Sequence, residues 1–123
     1  MGARRPAARR GPAAVRTLCQ LDELAEGEAR GFGPFDGART KLIVVRRGDT
    51  VRAYWDACPH YGGTPMAWRR NEYLNAARDR IVCASHGAEF EIDSGVCLLG
   101  AALGTALQRA PVRLEAGTVL FDP

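Results

Sequence analysis

The sequence lacks any apolar run long enough to cross a membrane and contains little histidine or cysteine. Although 46% of its 123 residues are hydrophobic, no stretch approaches the roughly 20 consecutive apolar residues of a spanning helix. A Gly-rich dinucleotide fingerprint is absent as well, so direct oxidation of NAD(P)H by this chain is not indicated. Only two histidines and four cysteines are present. We expect one soluble domain, small enough to benefit from a metal that cross-links its loops.

Acidic residues are missing from the N-terminal segment, and this absence accounts for the positive net charge. Residues 1–16 contain five arginines and no carboxylate, whereas residues 17–123 carry 12 basic and 14 acidic side chains. The segment therefore has a formal charge of +5 and the body a formal charge of −2, which together give the +3 of the whole chain. Because a nucleic-acid-binding face needs clustered basic side chains, a nucleic acid is not expected as a partner. The pairs Arg46-Arg47 and Arg69-Arg70 are predicted to be solvated turn and loop residues.

The N-terminal segment is predicted to be a disordered arm over residues 1–14, followed by one domain over residues 15–123. The arm is rich in Arg, Ala, Pro and Gly and has no apolar periodicity. Its two Arg-Arg pairs resemble a twin-arginine export signal. However, prolines, glycine and arginines interrupt every candidate apolar core, so export is not favoured and a translation start upstream of the natural one is the simpler explanation.

Both histidines and two of the cysteines fall in two short boxes. Cys58 and His60 form a C-x-H box, Cys83 and His86 form a C-x-x-H box, and glycine follows each box within two residues. Two sulfur and two nitrogen donors suit a 2Fe-2S cluster in which the cysteines bind one iron and the histidines bind the other. The glycines allow the sharp backbone turns that such loops need.

A structural zinc site is the alternative metal centre, because Cys2His2 is also a zinc ligand set. Paired zinc ligands usually have two to four residues between them, since both must reach one ion. The single residue between Cys58 and His60 therefore favours the cluster. Four unrelated core or surface residues remain the third interpretation.

These paired boxes resemble the signature of the Rieske-type iron-sulfur proteins, and the chain is most similar to the small soluble Rieske ferredoxins. The resemblance implies one 2Fe-2S cluster held by Cys58, His60, Cys83 and His86. It also implies an all-β fold, with a β-sandwich base and a small cluster-binding subdomain. Residues 61–82 separate the boxes by more than is common in this family, and we expect the extra length to form an excursion within residues 66–80.

The pattern of short strands and turns also predicts an all-β fold. Strands are expected at 15–19, 41–46, 51–55, 81–84, 89–92, 96–99, 112–115 and 118–121, with a turn or single helical turn at 21–24. Residues 47–50 predict a hairpin that leads into the first box. In the excursion, Trp68, Tyr73 and Leu74 are expected to be local hydrophobic cover, with a partner-docking patch as the alternative. Cys19 and Cys97 are expected to be small buried residues, not a disulfide.

Residues around the boxes predict a low reduction potential. The resemblance implies that high-potential members have a disulfide where this chain has Gly63 and Ser85, and hydroxyl donors where it has Ala88 and Phe90. Donors to cluster sulfurs stabilise the reduced state, so their absence lowers the potential. We expect a midpoint near the bottom of the roughly −150 to +300 mV Rieske range.

The function that the resemblance implies is one-electron transport in the cytoplasm, from an NAD(P)H-dependent reductase to an oxygenase. The chain itself has no histidine left for the mononuclear iron of an oxygenase. We therefore expect an electron-transfer protein and not an enzyme, with no membrane partner and with an oligomeric state that the sequence does not predict. A non-catalytic Rieske-like small subunit, as in nitrite reductase, and an iron-sulfur sensor are the alternatives.

Overall fold

The computed structural model describes residues 14–59, 64–85 and 87–123. Residues 1–13, which form most of the predicted arm, lie outside this description. Within it, no helix is long and apolar enough to cross a membrane. Nine β-strands and one 3₁₀ helix (Leu21–Glu23) form in the described residues. The strands are β1 (Arg16–Gln20), β2 (Ala29–Phe32), β3 (Leu42–Arg47), β4 (Thr50–Trp55), β5 (Arg80–Val82), β6 (Glu89–Glu91), β7 (Cys97–Leu99), β8 (Val112–Glu115) and β9 (Thr118–Phe121).

The strands form three antiparallel sheets of three strands each, with the orders β1-β9-β8, β2-β3-β4 and β5-β6-β7. The first two sheets form the base and share one hydrophobic core. Cys19 on β1, Leu42 and Val44 on β3, and Val119 and Phe121 on β9 all pack in this core. The all-β prediction and the sandwich base are therefore confirmed.

Strand β3 is buried on both faces and separates two hydrophobic cores. Leu42 and Val44 face the core of the base, whereas Ile43 and Val45 face a second core shared with the β5-β6-β7 sheet. This division follows from the alternation of side chains along a strand, which places residues i and i+2 on the same face. The continuous apolar run at residues 42–45 of β3 is therefore required, because neither face of this part of the strand meets solvent.

The second core joins the base to the smaller sheet that leads into and out of the second box. Tyr54 on β4 is fully buried, and its hydroxyl donates a hydrogen bond to the carbonyl oxygen of Ile92 at 2.7 Å. Ile81 on β5 and Phe90 on β6 pack into the same core. The predicted small subdomain is therefore the β5-β6-β7 sheet, and it is fixed to the base by a buried polar contact as well as by apolar packing.

The hairpin that was predicted at residues 47–50 joins β3 to β4. Arg47 pairs with Thr50, and Gly48 in the turn has a φ of +64°. Arg46 and Arg47 are nevertheless strand residues with specific partners. Arg46 donates to the carbonyl oxygen of Leu24 at 2.8 Å, and Arg47 pairs with Asp93 at 3.1 Å. The prediction that both are merely solvated was therefore wrong.

Strand β2 was not predicted from the sequence. Its residues Ala29, Arg30 and Gly31 have little preference for strands, and the pairing with β3 determines their conformation. Gly31 is also required by packing, because a Cβ atom at this position would lie 2.5 Å from the hydroxyl oxygen of Tyr73. Strand β2 was missed because it depends on contacts with distant segments, including Tyr73 of the excursion, which a local sequence pattern does not reveal.

Candidate metal centre

Cys58 lies just beyond β4, at the beginning of the first box. Its side chain is buried, with a relative exposure of 1%. Its backbone N–H donates to the carbonyl oxygen of Thr64 at 2.7 Å, so the chain returns to Cys58 after the box. His60 and Gly63, two positions singled out in the sequence, lie outside the described residues. The β3–β4 hairpin therefore positions the cysteine of the first box at the end of a regular sheet.

Cys83 follows β5 and is equally buried, at 1% exposure. Its N–H donates to the carbonyl oxygen of Ala88 at 2.9 Å, and its own carbonyl accepts from the N–H of Gly87 at 2.7 Å. Gly87 has a φ of +71°, a conformation that favours glycine. These bonds close a tight loop around the second box. His86 belongs to that segment and lies outside the described residues.

A short chain of hydrogen bonds connects the two boxes through Met66. The N–H of Met66 donates to Oδ1 of Asp56 at 2.7 Å, and the carbonyl oxygen of Met66 accepts from the N–H of Ala84 at 2.7 Å. Asp56 precedes Cys58 by two residues, and Ala84 directly follows Cys83. The beginning of the excursion therefore connects the two cysteine-bearing segments, and both cysteines belong to one hydrophobic core.

Asp56 was not identified as a site residue from the sequence. Its carboxylate is buried, at 6% exposure, and accepts a second, longer hydrogen bond from the hydroxyl of Tyr73 at 3.4 Å. The pKa of Tyr73 is raised to about 12, first by burial and then by the negative charge of Asp56. The only signal in the sequence was an acidic residue beside an apolar strand end, which does not by itself indicate burial.

The loop after β7 contacts the second box. Gly100 has a φ of +101°, and a Cβ atom there would lie 2.9 Å from Cα of Ala88. Ala88 is the residue whose carbonyl accepts from the N–H of Cys83. Close approach of the two backbones therefore requires glycine at position 100.

On β7 and in this loop, Leu98, Leu99 and Leu103 expose large apolar side chains.

The other two cysteines lie in different cores. Cys19 packs in the core of the base, where burial raises the pKa of its thiol, and Cys97 packs in the second core. The Sγ of Cys97 donates to the carbonyl oxygen of Leu99 at 3.4 Å. Both cysteines are buried and neither forms a disulfide, as expected.

The described residues fit a cluster of the expected type. Two buried cysteines lie on segments connected by hydrogen bonds, and they would supply the two thiolates that the sequence assigns to one iron. The surrounding apolar core limits access of water, which helps to set the potential of a bound cluster. The two imidazoles that would complete the ligand set remain predictions from the sequence.

Comparison with known proteins agrees with this arrangement. A family model described as the Rieske [2Fe-2S] domain matches residues 14–111. No curated protein sequence matches the chain. The ferredoxin of carbazole 1,9a-dioxygenase from Nocardioides aromaticivorans IC177 is similar in structure, with a TM-score of 0.66 at 22% identity over 90% of this chain and 99% of that chain.

Two complexes contain chains of similar structure. A chain in the complex of reduced oxygenase and oxidized ferredoxin in carbazole 1,9a-dioxygenase has a TM-score of 0.67 at 24% identity, over 88% of this chain and 92% of that chain. A chain in the reduced complex between oxygenase and ferredoxin has a TM-score of 0.69 at 20% identity, over 88% of this chain and 28% of that chain. At these identities the similarity shows the fold. Because the family model spans most of the sequence, the chain belongs to the Rieske [2Fe-2S] domain family, whose members carry a 2Fe-2S cluster.

Proposed function

We propose that this chain is a one-electron carrier whose low-potential cluster passes electrons from an NAD(P)H-dependent reductase to an oxygenase. The observation that carries the proposal is the pair of buried cysteines, Cys58 and Cys83, on segments connected by the Asp56–Met66–Ala84 hydrogen bonds. When bound, a 2Fe-2S cluster supplies a couple that gains and loses one electron.

The ligand assignment follows the donor chemistry of the two boxes. Cys58 and Cys83 would bind one iron as thiolates, and His60 and His86 would bind the other as neutral imidazoles. The protein's own contribution is to orient these donors and to surround them with apolar side chains. Ala88 and Phe90 follow the second box in the chain and are buried. Because neither side chain has a hydroxyl that could donate to a cluster sulfur, the reduction potential is expected to be low.

An apolar docking surface for a redox partner is available beside the second box. Leu98, Leu99 and Leu103 are exposed on β7 and on the loop that contacts Ala88. Exposed apolar side chains of this kind are typical of the centre of a protein interface. Because a similar structure is a complex of ferredoxin and oxygenase, we take the electron acceptor to be an oxygenase, by analogy of fold.

The cysteines also favour a reducing compartment, and we propose the cytoplasm. Cys19 and Cys97 lie in separate cores, so these two thiols are not joined to each other. Thiols that remain reduced are typical of cytoplasmic proteins. Residues 15–123 would form the carrier domain, with the arginine-rich arm outside it.

The experiment that tests the function is a redox titration of protein purified without oxygen, followed by mixing of the reduced protein with the oxygenase component of carbazole 1,9a-dioxygenase as a test acceptor. We expect a reversible one-electron couple and reoxidation of the chain by the acceptor. A protein that takes up no electron, or that loses its metal on reduction, would contradict the carrier function.

A further inference from the structure

A groove with a strongly basic lining lies beside the first box. Its volume is about 510 Å³. Arg39, Lys41, Arg69 and Arg70 line it together with Trp68. We call these five residues the basic groove.

The cations of the basic groove have no acidic partners among the described residues. None of these four cations forms a salt bridge with a described residue. Arg69 and Arg70 are exposed, as the sequence predicted. By contrast, ion pairs are formed by most other arginines of the described chain, namely Arg16, Arg30, Arg47, Arg52, Arg80 and Arg113.

The groove therefore has an excess of positive charge in a body whose formal charge is −2. Of the side chains that the structure describes, Asp56 is the one carboxylate in the lining. It is buried and already accepts hydrogen bonds from Met66 and Tyr73, so it is not available to the exposed cations. An occupant of the groove is expected to supply the missing negative charge.

Trp68 presents a large apolar surface at the same place. Its relative exposure is 76%, so its predicted role as hydrophobic cover for the excursion is wrong. Tyr73, by contrast, is buried as expected, and Leu74 packs at the edge of the second core. Tryptophan and arginine are both enriched among the residues that contribute most to the binding energy of protein interfaces.

The basic groove lies directly outside the hydrogen bonds that connect the boxes. Pro65 and Ala67, which flank Met66, line it, and the carbonyl oxygen of Lys41 accepts from the N–H of Asp56 at 2.9 Å. An occupant would therefore rest against the segment that positions Cys58.

We propose that the basic groove binds an acidic segment of a partner protein, with carboxylates on Arg39, Lys41, Arg69 and Arg70 and an apolar or aromatic side chain on Trp68. Arginine suits this role because its planar guanidinium binds carboxylates through two parallel hydrogen bonds. A protein is favoured over a nucleic acid because these cations are confined to one groove and form no extended track. The proposal adds the chemistry of a partner surface to the carrier function and does not depend on redox activity.

The test uses the purified chain and a synthetic peptide of alternating Asp and Glu with one central Phe. Binding is followed by tryptophan fluorescence, with Trp68→Phe showing which part of the signal arises in the groove. We expect saturable binding that weakens as salt screens the charges. In R69Q/R70Q the affinity should fall about tenfold or more, whereas Arg113→Gln, which changes an ion-paired arginine outside the groove, should stay within about twofold.

Three results would overturn the proposal. The first is that the acidic peptide binds R69Q/R70Q and the unchanged chain with equal affinity. The second is that a peptide with Asn and Gln in place of Asp and Glu binds as tightly as the acidic peptide. The third is that inorganic phosphate or a single-stranded oligonucleotide binds more tightly than the acidic peptide through the same arginines. The cluster spectrum of each sample separates the two claims. A normal cluster without peptide binding removes only the groove, and peptide binding without a reducible cluster removes only the carrier function.

Discussion

The carboxylate of Asp56 accepts a hydrogen bond from the backbone N–H of Met66 at 2.7 Å, across ten residues that include the first box. Through the Met66 carbonyl the same contact extends to Ala84, beside Cys83. One buried carboxylate therefore helps to hold together the two segments that carry the cysteines, although it is not itself a predicted ligand.

Removing the Asp56 carboxylate should loosen both boxes. Because Asp56→Ala leaves the Met66 N–H without its acceptor, we expect the free energy of unfolding to fall by about 1–3 kcal/mol and the iron content to fall with it. Asp56→Asn keeps an acceptor oxygen and should lose less. Tyr73→Phe, which removes only the longer hydrogen bond, serves as the control. Unchanged stability and iron content in Asp56→Ala would refute this positioning role.

Two glycines of the loop after β7 separate backbone strain from close packing. Gly100 and Gly104 both have positive φ, +101° and +91°, but of these two only Gly100 has neighbouring backbone where a Cβ atom would lie. Gly104→Ala should lower the free energy of unfolding by about 1 kcal/mol through strain alone. Gly100→Ala should lose about 1–3 kcal/mol more through overpacking against Ala88, and should shift the visible spectrum of the cluster. Equal losses in urea denaturation would show that the contact with Ala88 is unimportant.

Tyr73 should ionise late and affect stability only at alkaline pH. Its pKa is raised from 10.0 to about 12, chiefly by burial. Since the folded-state pKa lies above that of the unfolded chain, Tyr73 stabilises the fold fully below about pH 10 and loses this contribution as the pH rises towards 12. The difference between the tyrosinate absorbance titrations of the unchanged chain and Tyr73→Phe should have its midpoint near the raised pKa. A midpoint at the ordinary tyrosine value would show that Tyr73 is not held in this environment.

The reduction potential should respond to the ligands in a defined direction. We expect a midpoint near the bottom of the roughly −150 to +300 mV Rieske range. His60→Cys or His86→Cys should lower it, because an anionic thiolate replaces a neutral imidazole. Voltammetry of variants with intact iron content measures the change. An unchanged or higher midpoint would contradict the assignment of that histidine.

The sequence predicted those parts of the fold that depend on local patterns. The β3–β4 hairpin follows from two strands around Gly48, and Cys58 and Cys83, the cysteines of the two predicted boxes, are buried in one core. Such features involve neighbouring residues, so they can be identified without knowledge of the packing.

The features that were missed depend on contacts between distant segments. Gly31 occupies a strand in which Tyr73, far along the chain, packs against it. Asp56 becomes buried because Met66 and Tyr73 supply donors. Trp68 shows the opposite case, since it was predicted to be local hydrophobic cover but is exposed, while Met66 and Tyr73 fill the neighbouring core.

The most direct test of the account is the EPR spectrum of the dithionite-reduced protein, with iron and sulfide analysis, for the unchanged chain and for single cysteine variants. We expect a Rieske-type signal and about two irons per chain, lost in Cys58→Ser and Cys83→Ser and retained in Cys97→Ser, whose cysteine lies in the same core without being a predicted ligand. A colourless protein that contains zinc and no iron, or a cluster that survives the loss of Cys58 or Cys83, would contradict the central claim.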